Sequence, residues 1–118
     1  MTQRSRTNTQ PDGIWIIDSE GKTVFANETM AQILGSTVAE IGGADSFQYV
    51  FEEDLAAARR LFAAKKGGSS APFHFKLRRK DGSAIWVDVL GTPTYNAAGR
   101  FTGVVGTFTV SATQAPGS

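Results

Sequence analysis

The acidic cluster Glu52, Glu53 and Asp54 and the single histidine, His74, are the residues of this chain whose types could support catalysis. Neighbouring carboxylates serve in general acid–base catalysis, and a histidine serves as a base or as a metal ligand. The three acids, however, stand at the start of a helix-forming run, where the helix dipole stabilises negative charge. His74 alternates with two phenylalanines and is expected at the surface. Without a nucleophile–base pair, a phosphate loop or a metal cluster, the sequence predicts no enzyme.

Composition excludes further chemistries. The 118 residues include no cysteine, which excludes disulfides, thiolate nucleophiles, zinc–thiolate clusters and cysteinyl cofactor adducts. A net charge of +1 does not favour nucleic acid as a partner. The basic cluster Lys76, Arg78, Arg79 and Lys80 leads into a turn and is interpreted as a solvated hairpin end. No apolar run reaches the ~18 residues of a membrane span. We therefore expect a cytoplasmic location without membrane or nucleic-acid partners.

Strand-like runs occupy both ends of the chain and are joined by short turns. Each turn ends in a glycine, which supplies the left-handed backbone that a tight reversal needs. The runs therefore predict one hairpin followed later by a three-stranded antiparallel meander. The runs are residues 14–17, 23–26, 73–78, 85–90 and 101–110, and the turns are residues 18–21, 79–82 and 96–99.

All helical signal lies between these two groups of strands. A first helix is predicted after Asn27, whose side chain can cap it, and Gly35 ends it. A second short helix is predicted from Ser36 or Thr37 to Gly42. The chain therefore has the order of two strands, helices and three strands.

The clearest helix is predicted over residues 52–66. Its acidic start and its end at Lys65 and Lys66 both complement the helix dipole. Its spacing predicts an apolar stripe that faces the sheet. The members of this stripe are Leu55, Ala58, Leu61 and Phe62.

Length and composition predict one domain. We place it at residues 12–111, because the flanking residues 1–11 and 112–118 are polar and without periodicity. Both flanking segments are expected to be flexible tails.

In this order and at this spacing, the motifs resemble the PAS domain family, the sensor modules of bacterial signalling proteins. The resemblance covers nearly all of the predicted domain. The motifs are the first strand and turn at 12–21, V-F-A-N at 24–27, E-I-G-G at 40–43, E-D at 53–54, R-K-D-G-S at 79–83, Trp86 with Val87, and Gly99 with Gly103.

The resemblance implies an α+β fold, with a five-stranded antiparallel sheet in the order 2-1-5-4-3 and three to four helices on one face. It also implies a sensory or dimerisation module whose output domain lies outside this chain. The cysteine of the flavin-binding branch is replaced here by Ser46, and the long helix offers no histidine to haem. Neither flavin nor haem is therefore expected. The D-I-T that often closes the family's domain corresponds to residues 111–113, which lack its carboxylate.

Alternation divides the sheet residues between two faces, and the resemblance implies that the apolar set, which includes Gly91 and Gly106, faces the helices. Glycine inside a strand often marks the close approach of a ligand or of another backbone. We therefore expect a small apolar cavity that takes an unidentified small molecule, with Gln48 and Tyr49 orienting it. The predicted ligand-binding residues are Trp15, Ile17, Gln48, Tyr49, Phe62, Phe75, Val89, Gly91, Val104, Gly106 and Phe108.

The opposite face carries large apolar side chains on neighbouring strands. An exposed patch of this kind is typical of an interaction surface, and we expect a homodimer through it. The predicted interface residues are Ile14, Ile16, Trp86, Leu90 and Val105.

Two alternatives to the ligand-binding sensor remain open. The apolar inner face could be a filled core, in which case the domain acts only as a protein–protein interaction module. A flavin or haem binder with unfamiliar contacts is the third interpretation. An absorbance spectrum separates that third interpretation from the other two.

Overall fold

The computed structural model describes residues 12–112 and residue 114, so most of the two predicted tails lies outside the described residues. The described part contains a five-stranded antiparallel sheet in the order β2-β1-β5-β4-β3, which confirms the predicted fold. The strands are β1 (Gly13–Asp18), β2 (Thr23–Ala26), β3 (Phe73–Arg78), β4 (Ala84–Tyr95) and β5 (Phe101–Val110).

Strand β4 is longer than the predicted run, which ended at residue 90. Its second half stays paired with β5 as far as Tyr95, which lies opposite Phe101. Pro93 interrupts the β-branched pattern on which the shorter prediction depended, whereas Gly91 is assigned to the inner face of the strand from the sequence. The longer β4–β5 hairpin forms part of the sheet surface that lines the candidate functional site.

Helices connect β2 to β3 and cover one face of the sheet. Asn27 caps the first helix as predicted: its Oδ1 accepts hydrogen bonds of 2.9 Å from the backbone nitrogens of Met30 and Ile14. None of the helices in the described part has the length and apolarity needed to cross a membrane. The helices are α1 (Glu28–Leu34), α2 (Val38–Ile41) and α3 (Leu55–Lys66), with 3₁₀ helices at Ser46–Tyr49 and Glu52–Asp54.

Helix α3 begins at Leu55, three residues later than predicted, because Glu52–Asp54 form a 3₁₀ turn. Two acids of this turn contact the edge strand β3. Lys76 Nζ lies 3.5 Å from Glu53 Oε2 and 3.5 Å from Asp54 Oδ2. The acids therefore fix the start of α3 against the sheet edge, in addition to facing the helix dipole.

The core is packed unevenly. Met30, Leu34 and Ile41, from α1 and α2, have no solvent exposure. On α3, by contrast, Leu61 and Phe62 remain half-buried although they face the sheet. The domain thus has a dense side under α1 and α2 and a looser side under α3, where the cavity lies.

Gly103 allows the neighbouring strands β1 and β5 to lie close together. Its φ is 154°, a conformation that residues with a side chain rarely adopt. A Cβ atom at this position would overlap the carbonyl oxygen of Ile17 and would lie 3.0 Å from Cα of Asp18. The pairing of β5 with β1 therefore depends on the missing side chain.

Candidate functional site

An apolar cavity of about 120 Å³ lies between α3 and the inner face of the sheet. Nine of the eleven predicted ligand-binding residues line it, and they come from β1, β3, β4, β5 and α3. Alternation along the strands and the helical stripe bring these side chains together. The nine are Trp15, Ile17, Phe62, Phe75, Val89, Gly91, Val104, Gly106 and Phe108.

Gln48 and Tyr49 do not line this cavity. Tyr49 packs behind the cavity wall, with its ring centroid 5.7 Å from that of Trp15 at an interplanar angle of 72°. The backbone oxygen of Gln48 accepts a hydrogen bond of 2.8 Å from Arg78 Nη2. Both residues line a separate polar pocket of about 340 Å³ near the start of the β3–β4 turn. Gln48 and Tyr49 therefore lie outside the lining of the cavity, where they would not contact a guest in it.

Several lining residues were not among the predicted ligand-binding residues. The 3₁₀ helix after α2 contributes Phe47, with Val50 three residues later, because side chains at this spacing eclipse one another in such a turn. This short segment has no periodicity from which its orientation could be predicted. Most of the other additional residues could be found from the sequence, because they lie on the apolar stripe of α3 or on the inner side of an alternating strand. The additional lining residues are Ser46, Phe47, Val50, Ala58, Leu61, Lys65, Phe73 and Leu77.

Aromatic contacts hold the cavity wall in place. The ring centroids of Trp15 and Phe108 lie 5.6 Å apart, and those of Phe47 and Phe62 lie 5.8 Å apart. Trp15 Nε1 also donates a buried hydrogen bond of 2.9 Å to Thr23 Oγ1. Edge-on and tilted aromatic pairs of this kind add specific orientation to apolar burial. The wall on this side is therefore ordered by side chains of β1, β5, α3 and the 3₁₀ helix Ser46–Tyr49.

The two glycines of the inner face accommodate neighbouring side chains. A Cβ at Gly106 would lie 2.6 Å from Cε1 of Phe108, whose ring covers that position. A Cβ at Gly91 would lie 3.2 Å from Cε of Lys65 and 3.3 Å from Cγ1 of Val104. Both glycines thus leave space that neighbouring side chains of the same chain occupy.

Lys65 is a charged residue in an apolar wall. It is 4% exposed and is the only buried charged side chain in the part of the chain that the structure describes. Burial penalises its charged form and lowers the pKa of its ammonium below the ordinary value. Its Nζ donates a hydrogen bond of 3.1 Å to the carbonyl oxygen of Ala71 and lies 5.4 Å from the ring centroid of Phe73. The cavity therefore has one cationic donor at its border.

The polar pocket is organised around an ion pair. Lys80 Nζ lies 2.7 and 2.8 Å from the two carboxylate oxygens of Glu40, and Ser36 Oγ donates to the same carboxylate at 2.9 Å. The hydrogen bonds from Lys80 and Ser36 hold the pKa of Glu40 below its ordinary value. These contacts fasten α2 to the β3–β4 turn. Lys80 belongs to the basic cluster that is interpreted from the sequence as a solvated hairpin end. It is exposed, and it also makes this ion pair.

His74 lies on the outer face of the sheet. Its ring stacks on Trp86 at 4.8 Å with an interplanar angle of 12°, and its Nδ1 lies 2.9 Å from Asp88 Oδ1. The described residues contain no group of three or more histidine, aspartate or glutamate side chains that could hold a metal ion. His74 is therefore a surface residue on the outer face, where Asp88 fixes its ring against Trp86.

The predicted interface residues share this outer face. Leu90 is 48% exposed, and Phe25, which lies opposite Ile16, is equally exposed and extends the apolar surface onto β2. Phe25 was not among the predicted interface residues, because residues 23–26 were not assigned to faces from the sequence. The other four, which are half-buried, are Ile14, Ile16, Trp86 and Val105.

Comparison with known proteins agrees with this architecture. The PAS-B domain of Cycle from Drosophila melanogaster, with bound ethylene glycol, is 20% identical with a TM-score of 0.73, over 84% of this chain and 99% of that chain. A PAS domain from Desulfitobacterium hafniense is 19% identical with a TM-score of 0.74, over 91% and 99%. A light-oxygen-voltage domain from a flavin-analogue study is 17% identical with a TM-score of 0.73, over 92% and 83%.

At these identities the structural likeness shows the fold alone. The search of curated proteins finds no match. A family profile described as PAS fold matches residues 4–110, which is most of the chain. This protein therefore belongs to the PAS family.

Proposed function

We propose that this PAS domain is a cytoplasmic, non-catalytic sensor module of a bacterial signalling protein. It binds a small, mainly apolar molecule between α3 and the sheet and passes the signal to an output domain outside this chain. The observation that carries the proposal is the cavity of about 120 Å³, whose lining is apolar except for Ser46 and Lys65. Apolar walls with a few polar groups are typical of small-molecule sites.

The volume of the cavity limits the size of the guest. An apolar cavity of about 150 Å³ is enough to bind benzene or xenon, whereas sites for drug-sized ligands begin near 300 Å³. A guest of at most the size of benzene is therefore proposed, and flavin and haem are not. A visible absorption band that survives gel filtration of the purified protein would contradict this part of the proposal.

The alternative function is a ligand-free interaction module. The observation that favours it is that side chains of the same chain already occupy the space beside the two glycines. Lys65 and Val104 approach Gly91, and Phe108 approaches Gly106. Native mass spectrometry separates the two functions, because a retained small molecule adds mass to a sensor and none to a module with a filled core.

Filling the cavity tests the proposal directly. We expect Ala58→Leu to reduce the affinity for xenon or benzene at least tenfold, because Ala58 is buried in the wall and leucine occupies the space of the guest. Chemical-shift titration of the cavity residues with each guest measures this effect. Ala63→Leu is the matched control, since Ala63 is exposed on the same helix. If the unmodified protein binds no small guest, charged or uncharged, the ligand-free module is the correct function.

We further propose that a second copy of this domain packs on the outer face. The apolar side chains there lie on adjacent strands β2, β1, β5 and β4, and a two-fold pairing would bring equivalent patches together. A stable interface needs about 800 Å² from each partner, which is about an eighth of the 6658 Å² that the domain exposes. One face of a five-stranded sheet can provide that area.

The dimer is tested by placing a charge in the patch. We expect Leu90→Glu to convert the dimer to a monomer in sedimentation, because a buried carboxylate without a partner is costly. The fold should persist, since Leu90 is 48% exposed. Val38→Glu is the control, because Val38 is a similarly apolar exposed residue on α2, away from this face. A wild-type protein that sediments as a monomer at high concentration would rule out self-pairing.

A further inference from the structure

Lys65 is a charged residue whose side chain is buried on the inner side of α3. It lies seven residues after Ala58 and four after Leu61, so helical geometry directs it to the same inner stripe. The next residue, Lys66, is exposed and places its Nζ 5.2 Å from the ring centroid of Phe62. Two adjacent lysines thus differ in environment, and only Lys65 borders the cavity.

The ammonium of Lys65 has unused hydrogen-bonding capacity. An ammonium carries three N–H donors, and the carbonyl oxygen of Ala71 accepts from one of them. In the described ranges, no carboxylate lies within ion-pair distance of Lys65; the ion pairs there involve His74, Lys76 and Lys80. A buried charge of this kind is costly unless a partner compensates it. Among the described residues, this ammonium thus has a carbonyl oxygen and the ring of Phe73 as partners but no counter-ion.

The inner face of the sheet leaves room for this ammonium. Gly91 has no side chain, and a Cβ there would lie 3.2 Å from Cε and 3.7 Å from Nζ of Lys65. The charged end of the lysine therefore lies between α3 and β4 at the wall of the cavity. A guest in the cavity would have apolar surface on most sides and one cationic donor at one end.

We propose that Lys65 makes the cavity selective for a small carboxylate, with the carboxylate group on Lys65 Nζ and the alkyl portion among Val89, Val104 and Phe108. This inference depends on the proposed function, since it names the class of ligand for the same cavity. A carboxylate supplies both the missing acceptor and the missing counter-charge, and charge-assisted hydrogen bonds are the stronger kind. The volume of about 120 Å³ limits the alkyl portion to a short chain.

Butyrate and its uncharged analogue butyramide are suitable probes, because they share shape and differ in charge. We expect the unmodified protein to bind butyrate at least tenfold more tightly than butyramide in chemical-shift titrations. Lys65→Met retains length and helix propensity without the charge, and we expect it to lose this preference. Lys66→Met is the control and should keep the preference, since Lys66 is outside the cavity wall.

The outcomes separate this inference from the proposed function. Equal affinity of the unmodified protein for butyrate and butyramide would overturn the role of Lys65, and this comparison needs no variant. Retention of the butyrate preference in Lys65→Met would also overturn it. If xenon or benzene binds while the preference is absent, only the carboxylate inference fails. If no guest of any kind binds, the proposed function fails with it.

Discussion

Replacing Gly103 by alanine is expected to lower the free energy of unfolding by about 3–5 kcal/mol. The φ of 154° is strained for alanine, and its Cβ would overlap the carbonyl oxygen of Ile17. That oxygen belongs to the backbone of β1 and cannot rotate away as a side chain can. The strands β1 and β5 must therefore separate locally, beside the cavity residues Ile17 and Val104, which are paired across this point. Such a loss is a large fraction of the stability of a small domain.

Gly99→Ala is the matched control for this prediction. Gly99 also has a left-handed φ, of 80°, but nothing lies within 4 Å of a Cβ at its position. Its replacement therefore measures backbone strain without a clash, and we expect a loss of about 1 kcal/mol. Urea unfolding of both variants gives the two free energies. Equal losses for the two variants would show that the strands accommodate the methyl group at Gly103.

The fold was predictable because its local signals agree with one another. Asn27 is a capping residue placed directly after a strand, and in the structure its side chain joins the start of α1 to β1. The glycine at the end of each turn and the alternation of the strands indicate the same sheet. The last residues of β4 extend beyond the predicted run because Pro93 has low strand propensity, and pairing with β5 outweighs it.

The cavity was predictable only where periodicity extends into it. Trp15, Val89 and Phe108 follow from strand alternation, whereas Gln48 and Tyr49 lie in a 3₁₀ segment without a period. Which side of such a short segment faces the sheet depends on tertiary contacts, here the packing of Tyr49 on Trp15. No single-sequence pattern encodes that choice.

Lys65 shows a different limit of sequence reasoning. Its helical spacing places it on the stripe that contains Ala58 and Leu61, but its charge at a helix end suggests solvent and a favourable dipole. The glycine that makes its burial possible, Gly91, lies on another element and far along the chain. Helical periodicity predicts that Lys65 faces the sheet, whereas the space for its side chain depends on Gly91 of β4.

Trp15 contributes to the stability of the domain and forms part of the wall that limits the size of the cavity. It is 5% exposed, contacts the rings of Tyr49 and Phe108, and donates to Thr23 Oγ1. Trp15→Ala removes these contacts and leaves the buried Thr23 hydroxyl without its donor. We expect the free energy of unfolding to fall by about 3–5 kcal/mol, because the void cannot be refilled by its ordered neighbours.

Trp86→Ala is the control, since this tryptophan is half-buried on the outer face and stacks on His74. At concentrations below those at which the proposed dimer forms, we expect a loss of about 1 kcal/mol there, mostly from the ring contact. Equal losses at the two tryptophans in urea unfolding would contradict the packing described for Trp15.

The void left by Trp15→Ala should accept indole, which has the shape of the ring that was removed. A ligand that binds only the folded state stabilises it, by about 2.7 kcal/mol at a concentration a hundred times its dissociation constant. We therefore expect indole to raise the urea midpoint of Trp15→Ala and to leave that of the unmodified protein nearly unchanged, because about 120 Å³ is too small for the bicyclic ring. If indole stabilises both proteins equally, the cavity of the unmodified domain is larger or more easily opened than its side chains imply. A rescue confined to the variant would instead show that the wall formed by Trp15 sets the upper size limit for the guest.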